Sequence, residues 1–307
     1  MKDGQKSTFL SYGAGMQTFA LLVMAEKGEI QIDEVVFADT GMEHPETYDH
    51  IERVAKPLCE RIGVPFTIVR MSKEISDVEK LTGNDLLDYK TMLKDTEDMS
   101  RNKKIAFRRK WEEARGIPRI VVHDLGSEIA KRRRLPSVNP KSRWCTGDSK
   151  LIPIISYIRS EQTLGKYVKP AAGIIGLSYE EMLRQYIPHE KEYSVNYPLI
   201  EKKMTRDDCI RYVSEAGYDV PPKSGCYLCP FQGKKQWTQL LRKHPDLYDE
   251  AVRLEEADLN FPTYKLLPNG DLTLRTFRER VGPQFYFTAG GEGENGMSCP
   301  QANYCGI

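Results

Sequence analysis

The fold of this chain is decided by the stretch Thr8-Phe9-Leu10-Ser11-Tyr12-Gly13-Ala14-Gly15-Met16-Gln17-Thr18-Phe19-Ala20-Leu21-Leu22-Val23-Met24. Its first five residues predict a short buried strand, the next three a turn of small residues, and the remainder a helix. A strand that turns sharply into a helix directs unpaired N–H groups and the positive dipole end at one point. The sequence therefore predicts an anion site here, with a simple tight turn as the alternative.

A second strand ends in another polar turn. The predicted strand covers residues 34–38, which are apolar except for Glu34. It is followed by the sequence Asp39-Thr40-Gly41-Met42-Glu43-His44-Pro45-Glu46-Thr47-Tyr48. A helix is expected over residues 45–62 and a third strand over 64–69, which gives a β-α-β-α-β order. Strands separated by helices imply a parallel sheet with right-handed crossovers. Ligands of such sheets bind outside the carboxyl ends of the strands, where both polar turns fall.

The two turns carry a resemblance to a known family. Asp39-Thr40-Gly41 followed by Pro45-Glu46-Thr47-Tyr48 resembles the second signature of the phosphoadenosine phosphosulfate (PAPS) reductase family, in the PP-loop or adenine nucleotide alpha-hydrolase group. Ser11 to Thr18 is similar to the family's first turn. ATP-cleaving members usually have Gly and Asp where this chain has Ala14 and Gln17, and the Gln is more like the reductases. The resemblance implies that the first turn holds phosphates and the strand end holds the nucleoside.

A third segment extends the resemblance. Residues 176–184, Gly-Leu-Ser-Tyr-Glu-Glu-Met-Leu-Arg, are similar to the family's Gly-Leu-Arg-x-x-Glu-Ser-x-x-Arg, with Arg184 one position before the family's last Arg. Ser178 replaces an Arg, which removes a bidentate anion clamp. The nucleotide-binding residues that the resemblance implies are Ser11, Gly13, Ala14, Gly15, Gln17, Thr18, Asp39, Thr40, Gly41, Glu46, Gly176, Glu181 and Arg184.

Composition sets the outer limits of the interpretation. The chain has 307 residues, 40% hydrophobic, so we expect a sizeable core, and its net charge of +1 gives no general attraction to nucleic acid. No membrane-length apolar run and no signal peptide are visible, so we expect a reducing cytoplasm, where seven cysteines favour thiol or metal chemistry. We expect a Rossmann-like α/β domain over 1–220, with a basic helical insertion near 71–118, and a helical, cysteine-bearing extension over 221–307.

The clearest metal signal is the Cys226-Tyr227-Leu228-Cys229 sequence, because a gap of two residues lets both thiolates face one ion or cluster. Such a pair also suits zinc, a redox couple or no metal. Cys145, Cys299 and Cys305 add candidate ligands, whereas Cys59 and Cys209 lie in helices and are expected in the core. The family resemblance favours an iron–sulfur cluster of the 4Fe–4S type, as in the cluster-containing reductases, although this chain has one Cys where those enzymes have an adjacent pair.

The carboxyl-terminal tail also resembles the reductases. Asn303-Tyr304-Cys305-Gly306-Ile307 is similar to their terminal Glu-Cys-Gly-Leu/Ile-His, which carries the nucleophilic Cys, but the Glu and His are missing. The resemblance implies a catalytic Cys305, and Lys150 is a cation that would lower its pKa. Cys305 as a metal ligand is the alternative. The glycine-rich segment 290–296 is expected to act as a hinge for this tail.

Two basic segments, 101–111 and 131–143, are candidate contacts to DNA or RNA, with a solvated surface as the alternative. Three functions stay open from the sequence. The first is a phosphosulfate reductase with an adenine nucleotide and a thiol reductant such as thioredoxin. The second is an ATP-dependent sulfurtransferase that modifies nucleic acid, with a sulfur donor and magnesium. The third is a nucleotide sensor with a structural zinc site.

Overall fold

The computed structural model describes residues 5–138, 143–188, 191, 193–261, 265–267 and 272–281. The regular elements in these ranges are, in chain order, β1 (Lys6–Ser11), α1 (Met16–Glu26), β2 (Val35–Asp39), α2 (Pro45–His50), a π-helical turn (Ile51–Ala55), α3 (Lys56–Arg61), β3 (Phe66–Arg70), β4 (Lys73–Ser76), α4 (Gly83–Asp95), α5 (Arg101–Ala114), β5 (Arg119–Val122), α6 (Leu125–Arg132), a second π-helical turn (Gly147–Leu151), α7 (Ile152–Thr163), β6 (Tyr167–Ile175), a 3-10 helix (Tyr179–Arg184), β7 (Tyr193–Asn196), α8 (Pro198–Glu201), α9 (Arg206–Glu215), α10 (Lys234–Lys243), α11 (Pro245–Ala257) and α12 (Leu274–Val281).

Five strands form one parallel sheet in the order β3-β2-β1-β6-β7. The β-α-β-α-β reading of the first seventy residues is confirmed, and the first strand lies at the centre. Because the strands are parallel, Ser11, Asp39 and Arg70 end their strands at the same edge of the sheet, and Asp39 lies opposite Arg70 in the register. This edge is where both sequence signatures fall.

Helices cover both faces of the sheet. Alternate residues of the central strands enter different cores, so that Leu10 and Phe37 pack with α1 and α9, while Phe9 and Val36 pack with α7. Side chains of a strand point to opposite faces in turn, and a strand buried on both faces is therefore apolar throughout. The predicted Rossmann-like α/β class with helices on both faces is confirmed.

The segment after β3 differs from expectation. The insertion near 71–118 was expected to be helical, but it begins with β4, which pairs antiparallel with β5. Ile75 of β4 is buried, and its pairing partner, Ile120, lies 45 positions further along the chain. A pairing over that distance leaves no mark in the local pattern, so the helical expectation is wrong for this part.

The described chain divides into two compact units. The first contains the five-stranded sheet and is built from residues 5–71 and 143–231; the second contains the β4–β5 pair and is built from 72–138 and 232–281, each without its undescribed positions. The contacts thus group residues 221–231 with the sheet. Separate domains over 1–220 and 221–307 stay a prediction. Within the described residues, no helix is long and apolar enough to cross a membrane.

Candidate functional site

The nucleotide turn, residues 11–18, joins β1 to α1 as predicted. Gly15 is the N-cap of α1 in an extended conformation, and no side chain caps the helix, so its first N–H groups are left to other partners. Ala14 has a φ of 55° and is buried. An L-residue in this left-handed region is held there by its surroundings, because the conformation costs roughly 1–2 kcal/mol. The backbone of this turn is therefore fixed before any ligand binds.

Gly176 lies just beyond β6 and supports the nucleotide turn. A Cβ added at Gly176 would be 3.0 Å from the backbone N of Thr18 and 2.7 Å from its Cγ2. The absence of a side chain thus lets the strand end approach the first turn of α1 directly. The nucleotide role predicted for Gly176 is not required to explain this glycine, since close packing is sufficient.

Gln17, Glu181 and Arg184 come together although they belong to separate motifs. The Glu181 Oε2 atom accepts hydrogen bonds from Gln17 Nε2 at 3.3 Å and from the backbone N of Ser178 at 3.2 Å, and its Oε1 pairs with Arg184. Ser178, the residue that replaces the family Arg, is the N-cap of the 3-10 helix in a capping box with Glu181. The segment 178–184 is thereby tied to the nucleotide turn through Gln17.

The carboxylate of Asp39 accepts four hydrogen bonds from within the protein. Oδ1 accepts from the backbone N of Gly41 at 2.8 Å and from Tyr48 Oη at 2.7 Å, and Oδ2 accepts from Arg70 Nε at 3.0 Å and Nη2 at 2.8 Å. Gly41 has a φ of 74°, which a glycine adopts without strain. Although burial raises the pKa of Asp39, these hydrogen bonds outweigh it and lower the pKa. Asp39 therefore shapes the strand end as an ionised group.

Cys226 and its neighbours, residues 223–229, form what we call the thiol loop, which lies against the residues that follow Asp39. Glu43 and Cys226 form an antiparallel β-bridge, and the backbone N of Tyr227 donates to Met42 O at 2.9 Å. The backbone N of Gly225 donates to Glu43 Oε2 at 3.1 Å. The second sequence signature and the Cys-x-x-Cys motif are thus parts of one site.

The thiol loop also contacts the nucleotide turn. A Cβ added at Gly15 would lie 2.7 Å from Ser224 Oγ. Real Cβ atoms do not approach so closely, so a side chain at Gly15 would require the Ser224 side chain to turn away. Gly15 therefore accommodates Ser224, a role that the sequence alone did not indicate.

Glu43 is a functional candidate that sequence reasoning missed. It is only 3% exposed, and its Oε1 lies 3.2 Å from Thr40 Oγ1, 3.5 Å from Lys150 Nζ and 3.8 Å from Cys226 Sγ. A buried carboxylate is stable only with such partners. The sequence signal that could have indicated Glu43 was an acidic residue close after the Asp-Thr-Gly signature. Arg70 was missed too, although a cation ending the strand next to Asp39 could have been noticed.

The two thiols nearest the second sequence signature, Cys226 and Cys145, both have a raised pKa. Burial raises the pKa of Cys226 above its usual range and Glu43 raises it further, while Lys150 and Thr40 act in the opposite direction. Burial likewise raises the pKa of Cys145 against the opposing effect of Arg143 and Lys150. Lys150 is thus close enough to act on both thiols. Neither has the depressed pKa that a nucleophilic thiol needs at neutral pH.

The predicted metal ligands are only partly brought together. Cys145 is near enough to Cys226 to raise its pKa, and Cys229 follows Cys226 in a tight turn. Over the described ranges, however, no group of three or more His, Cys, Asp or Glu side chains is arranged to hold a metal. Cys299, Cys305 and the glycine-rich segment 290–296 lie outside the described residues. Cys59 and Cys209 are buried in the core as expected, and burial raises the pKa of each to about 12.

Residues 101–111 and 131–138, the described parts of the two basic segments in the second unit, differ in their partners. Lys131 pairs with Glu79 and Asp77, Arg132 with Glu128, and Arg133 donates to the carbonyl of Ala257. These three cations serve the packing of their own unit, which favours the structural interpretation of 131–134. On α5, in contrast, Phe107 is 46% exposed and the neighbouring Lys103 and Lys110 are exposed as well.

A parallel sheet with helices on both faces and a strand–helix turn at its carboxyl edge defines a Rossmann-like α/β protein. Residues 7–157 match the family model of the phosphoadenosine phosphosulfate reductase domain. This match confirms the resemblance seen in the signatures for that part of the chain.

Comparison with individual proteins adds little to this assignment. No curated protein matches the chain. Among solved structures, the U34-tRNA thiolase NcsA from Methanococcus maripaludis with its 4Fe–4S cluster is similar at 11% sequence identity and a TM-score of 0.27, over 92% of this chain and 84% of that one. A likeness of this size carries no conclusion about chemistry.

The charge of Asp39 predicts a pH-dependent stability. The pKa of Asp39 in the folded protein lies below the ordinary 3.8. The ionised carboxylate therefore stabilises the fold fully above pH 3.8, and this stabilisation is lost as the pH falls through the lowered pKa. At pH 7 we expect Asp39→Asn to lose about 1–3 kcal/mol, the range for hydrogen bonds to a charged group, because the amide presents a donor to Arg70. Urea unfolding at pH 7 and near pH 2 measures this.

The loss in Asp39→Asn should shrink between the two pH values. Asp219→Asn, at an exposed residue, is the matched control and should change stability little at either pH. A loss in Asp39→Asn that is equally large at both pH values would show that the charge of Asp39 contributes nothing.

Proposed function

We propose that the chain is an enzyme that binds an adenine nucleotide at the carboxyl edge of its parallel sheet and performs sulfur chemistry on it with thiols. The observation that carries this proposal is the β-bridge between Glu43 and Cys226, which joins the Cys-x-x-Cys motif to the residues after the Asp-Thr-Gly signature. Thiols of a sulfur-transferring enzyme must lie near the nucleotide, and this bridge supports that placement.

The anionic part of the nucleotide is assigned to the nucleotide turn. The uncapped amides at the start of α1 suit a phosphate or sulfate, and Gly13 is exposed with no atom within 4 Å of an added Cβ. The adenosine is assigned to the strand end near Gly41, with Asp39 holding that turn in shape rather than donating its occupied carboxylate. Glu46, Thr18 and Ser11 stay predicted contacts.

For the reductase reaction, a cysteine thiolate attacks the sulfur of the bound phosphosulfate. The new S–S bond leaves an S-sulfonated cysteine, and the nucleotide departs with the bridging oxygen. An external thiol such as that of thioredoxin then attacks the cysteine sulfur, releases sulfite and leaves a mixed disulfide, which a second thiol reduces. Because burial raises the pKa of Cys145 and Cys226, Cys305 is the proposed nucleophile and Lys150 the cation proposed to favour its thiolate.

Gly13 gives the direct test of the nucleotide site. In Gly13→Ala a methyl group enters open space, so the fold should be unaffected, while the affinity for adenine nucleotides should fall about tenfold or more, or at least about 1.4 kcal/mol. Calorimetric titration with ATP and with adenosine phosphosulfate measures the affinity, and the thermal midpoint checks the fold.

Gly15→Ala is the comparison variant, and it should lower both affinity and thermal midpoint because its Cβ meets Ser224. Unchanged nucleotide affinity in Gly13→Ala would exclude the nucleotide turn as the phosphate site.

We further propose an iron–sulfur cluster held by Cys145, Cys226 and Cys229 with a fourth cysteine, Cys299 or Cys305. Two of these thiols are neighbours of one cation, Lys150, which would offset part of the negative charge of a thiolate-bound cluster. Among the described residues these three cysteines do not form a group that could hold a metal, so a cluster would need them to draw together and a fourth ligand from the tail. When bound, the cluster would supply a metal centre for sulfur binding or electron transfer.

Anaerobic purification with metal analysis tests the cluster. We expect iron and acid-labile sulfide, and a brown absorption band that Cys226→Ser abolishes. Cys59→Ala, a change at a cysteine of the core, should keep the iron and serves as control. Stoichiometric zinc without iron would favour the nucleotide sensor with a structural zinc site.

A second candidate function, an ATP-dependent sulfurtransferase acting on nucleic acid, is favoured by the exposed face of α5. Lys103, Phe107 and Lys110 follow the i, i+4, i+7 spacing of one helical face, and all three are exposed. Two cations flanking an aromatic ring can neutralise phosphates while the ring stacks on a base. The occupant proposed for this face is a single-stranded nucleic acid segment.

Charge reversal on α5 tests this candidate. The double variant Lys103→Glu/Lys110→Glu should weaken binding of a labelled oligonucleotide, and the slope of log affinity against log salt should fall by about 1 to 2. Lys235→Glu, at an exposed residue of α10, is the matched control and should bind as the wild type does. Equal binding by all three proteins would remove nucleic acid as the partner of α5.

A further inference from the structure

Glu43 joins three segments that are far apart in the sequence. Its carboxylate accepts a hydrogen bond from Thr40 Oγ1 at 3.2 Å, accepts another from the backbone N of Gly225 at 3.1 Å, and pairs with Lys150 Nζ at 3.5 Å. These contacts link the strand-end signature, the thiol loop and the π-helical turn that follows Cys145. Because the carboxylate is buried, loss of any of the three partners would leave it less well compensated.

The Cys226 thiol is held by two of these residues. Its Sγ lies 3.3 Å from Thr40 Oγ1 and 3.8 Å from Glu43 Oε1. Thr40 Oγ1 also accepts the backbone N–H of Met42 at 3.2 Å, so the threonine hydroxyl is fixed by the turn of which it is part. A shift of that turn is therefore transmitted to the thiol through side chains that are already in contact.

The turn that carries Thr40 and Glu43 has one residue that a ligand can reach. Gly41 is exposed and can meet a ligand, whereas its neighbours Thr40 and Glu43 are buried. Ser224, in the thiol loop, lies against Gly15 of the nucleotide turn. A nucleotide that spans from Gly41 to the nucleotide turn would consequently touch both ends of the region that the thiol loop covers.

We propose that Glu43 is the positioning residue through which a bound nucleotide holds the thiol loop, and with it Cys226, in place. The inference rests on the proposed nucleotide site. A ligand on Gly41 immobilises the turn of Thr40, Thr40 and Lys150 hold the Glu43 carboxylate, and the carboxylate holds Gly225 and Cys226.

The test is amide hydrogen exchange of residues 223–229 in the purified protein. This segment is informative because the amide of Gly225 donates to Glu43 and that of Tyr227 donates to Met42. In the wild type, saturating ATP or adenosine phosphosulfate should slow exchange of this segment by about tenfold, as expected when local opening is suppressed. In Glu43→Gln the slowing should be lost, because one amide oxygen cannot serve Gly225 and Lys150 together. Nucleotide affinity is measured by calorimetry on the same samples.

Glu60→Gln, at an exposed residue of α3, is the matched control and should show the wild-type slowing. If Glu43→Gln does not fold, Thr40→Val removes the hydroxyl with little change in volume and should also lose the slowing. Equal slowing in wild type and variant, or nucleotide binding to wild type without any slowing, would overturn the role of Glu43. Absence of nucleotide binding in the wild type would instead overturn the proposed function.

Discussion

The burial of negative charge at the carboxyl edge of the sheet is the constraint on which the site depends. Asp39 and Glu43 are both almost completely buried within five residues of each other. A buried carboxylate is tolerated only when hydrogen bonds and cations replace its lost water. Arg70 and Tyr48 meet that need for Asp39, and Lys150, Thr40 and the backbone of Gly225 meet it for Glu43. Segments distant in the chain are thereby brought to one place.

This arrangement separates positioning from reactivity. The carboxylate that fixes the thiol loop also raises the pKa of Cys226, in the same direction as burial. A thiol held in this way is accurately placed but is a poor nucleophile on its own. The site therefore suits a division of labour, in which Cys145 and Cys226 provide a scaffold or metal ligands and a separate cysteine performs the attack.

The sequence predicted the parts of the site that depend on local pattern. Strand ends and the order of elements follow from hydrophobic periodicity, and parallel strands bring their carboxyl ends to one edge, so the meeting of Ser11 and Asp39 could be foreseen. Glu43 and Ser224 could not, because their roles come from contacts that span 182 residues in one case and more than 200 in the other. β4 was missed for the same reason.

The contact of Ser224 with Gly15 changes what a glycine in this turn means. Such a glycine is commonly taken as the mark of a phosphate-binding backbone, yet here Ser224 of the thiol loop already occupies the space of a Cβ. A relative that no longer bound nucleotide but kept the loop would still have a reason to keep the glycine. Across such proteins, a glycine at position 13 would be the better indicator of a bound ligand, because a Cβ there would have no atom of the protein within 4 Å.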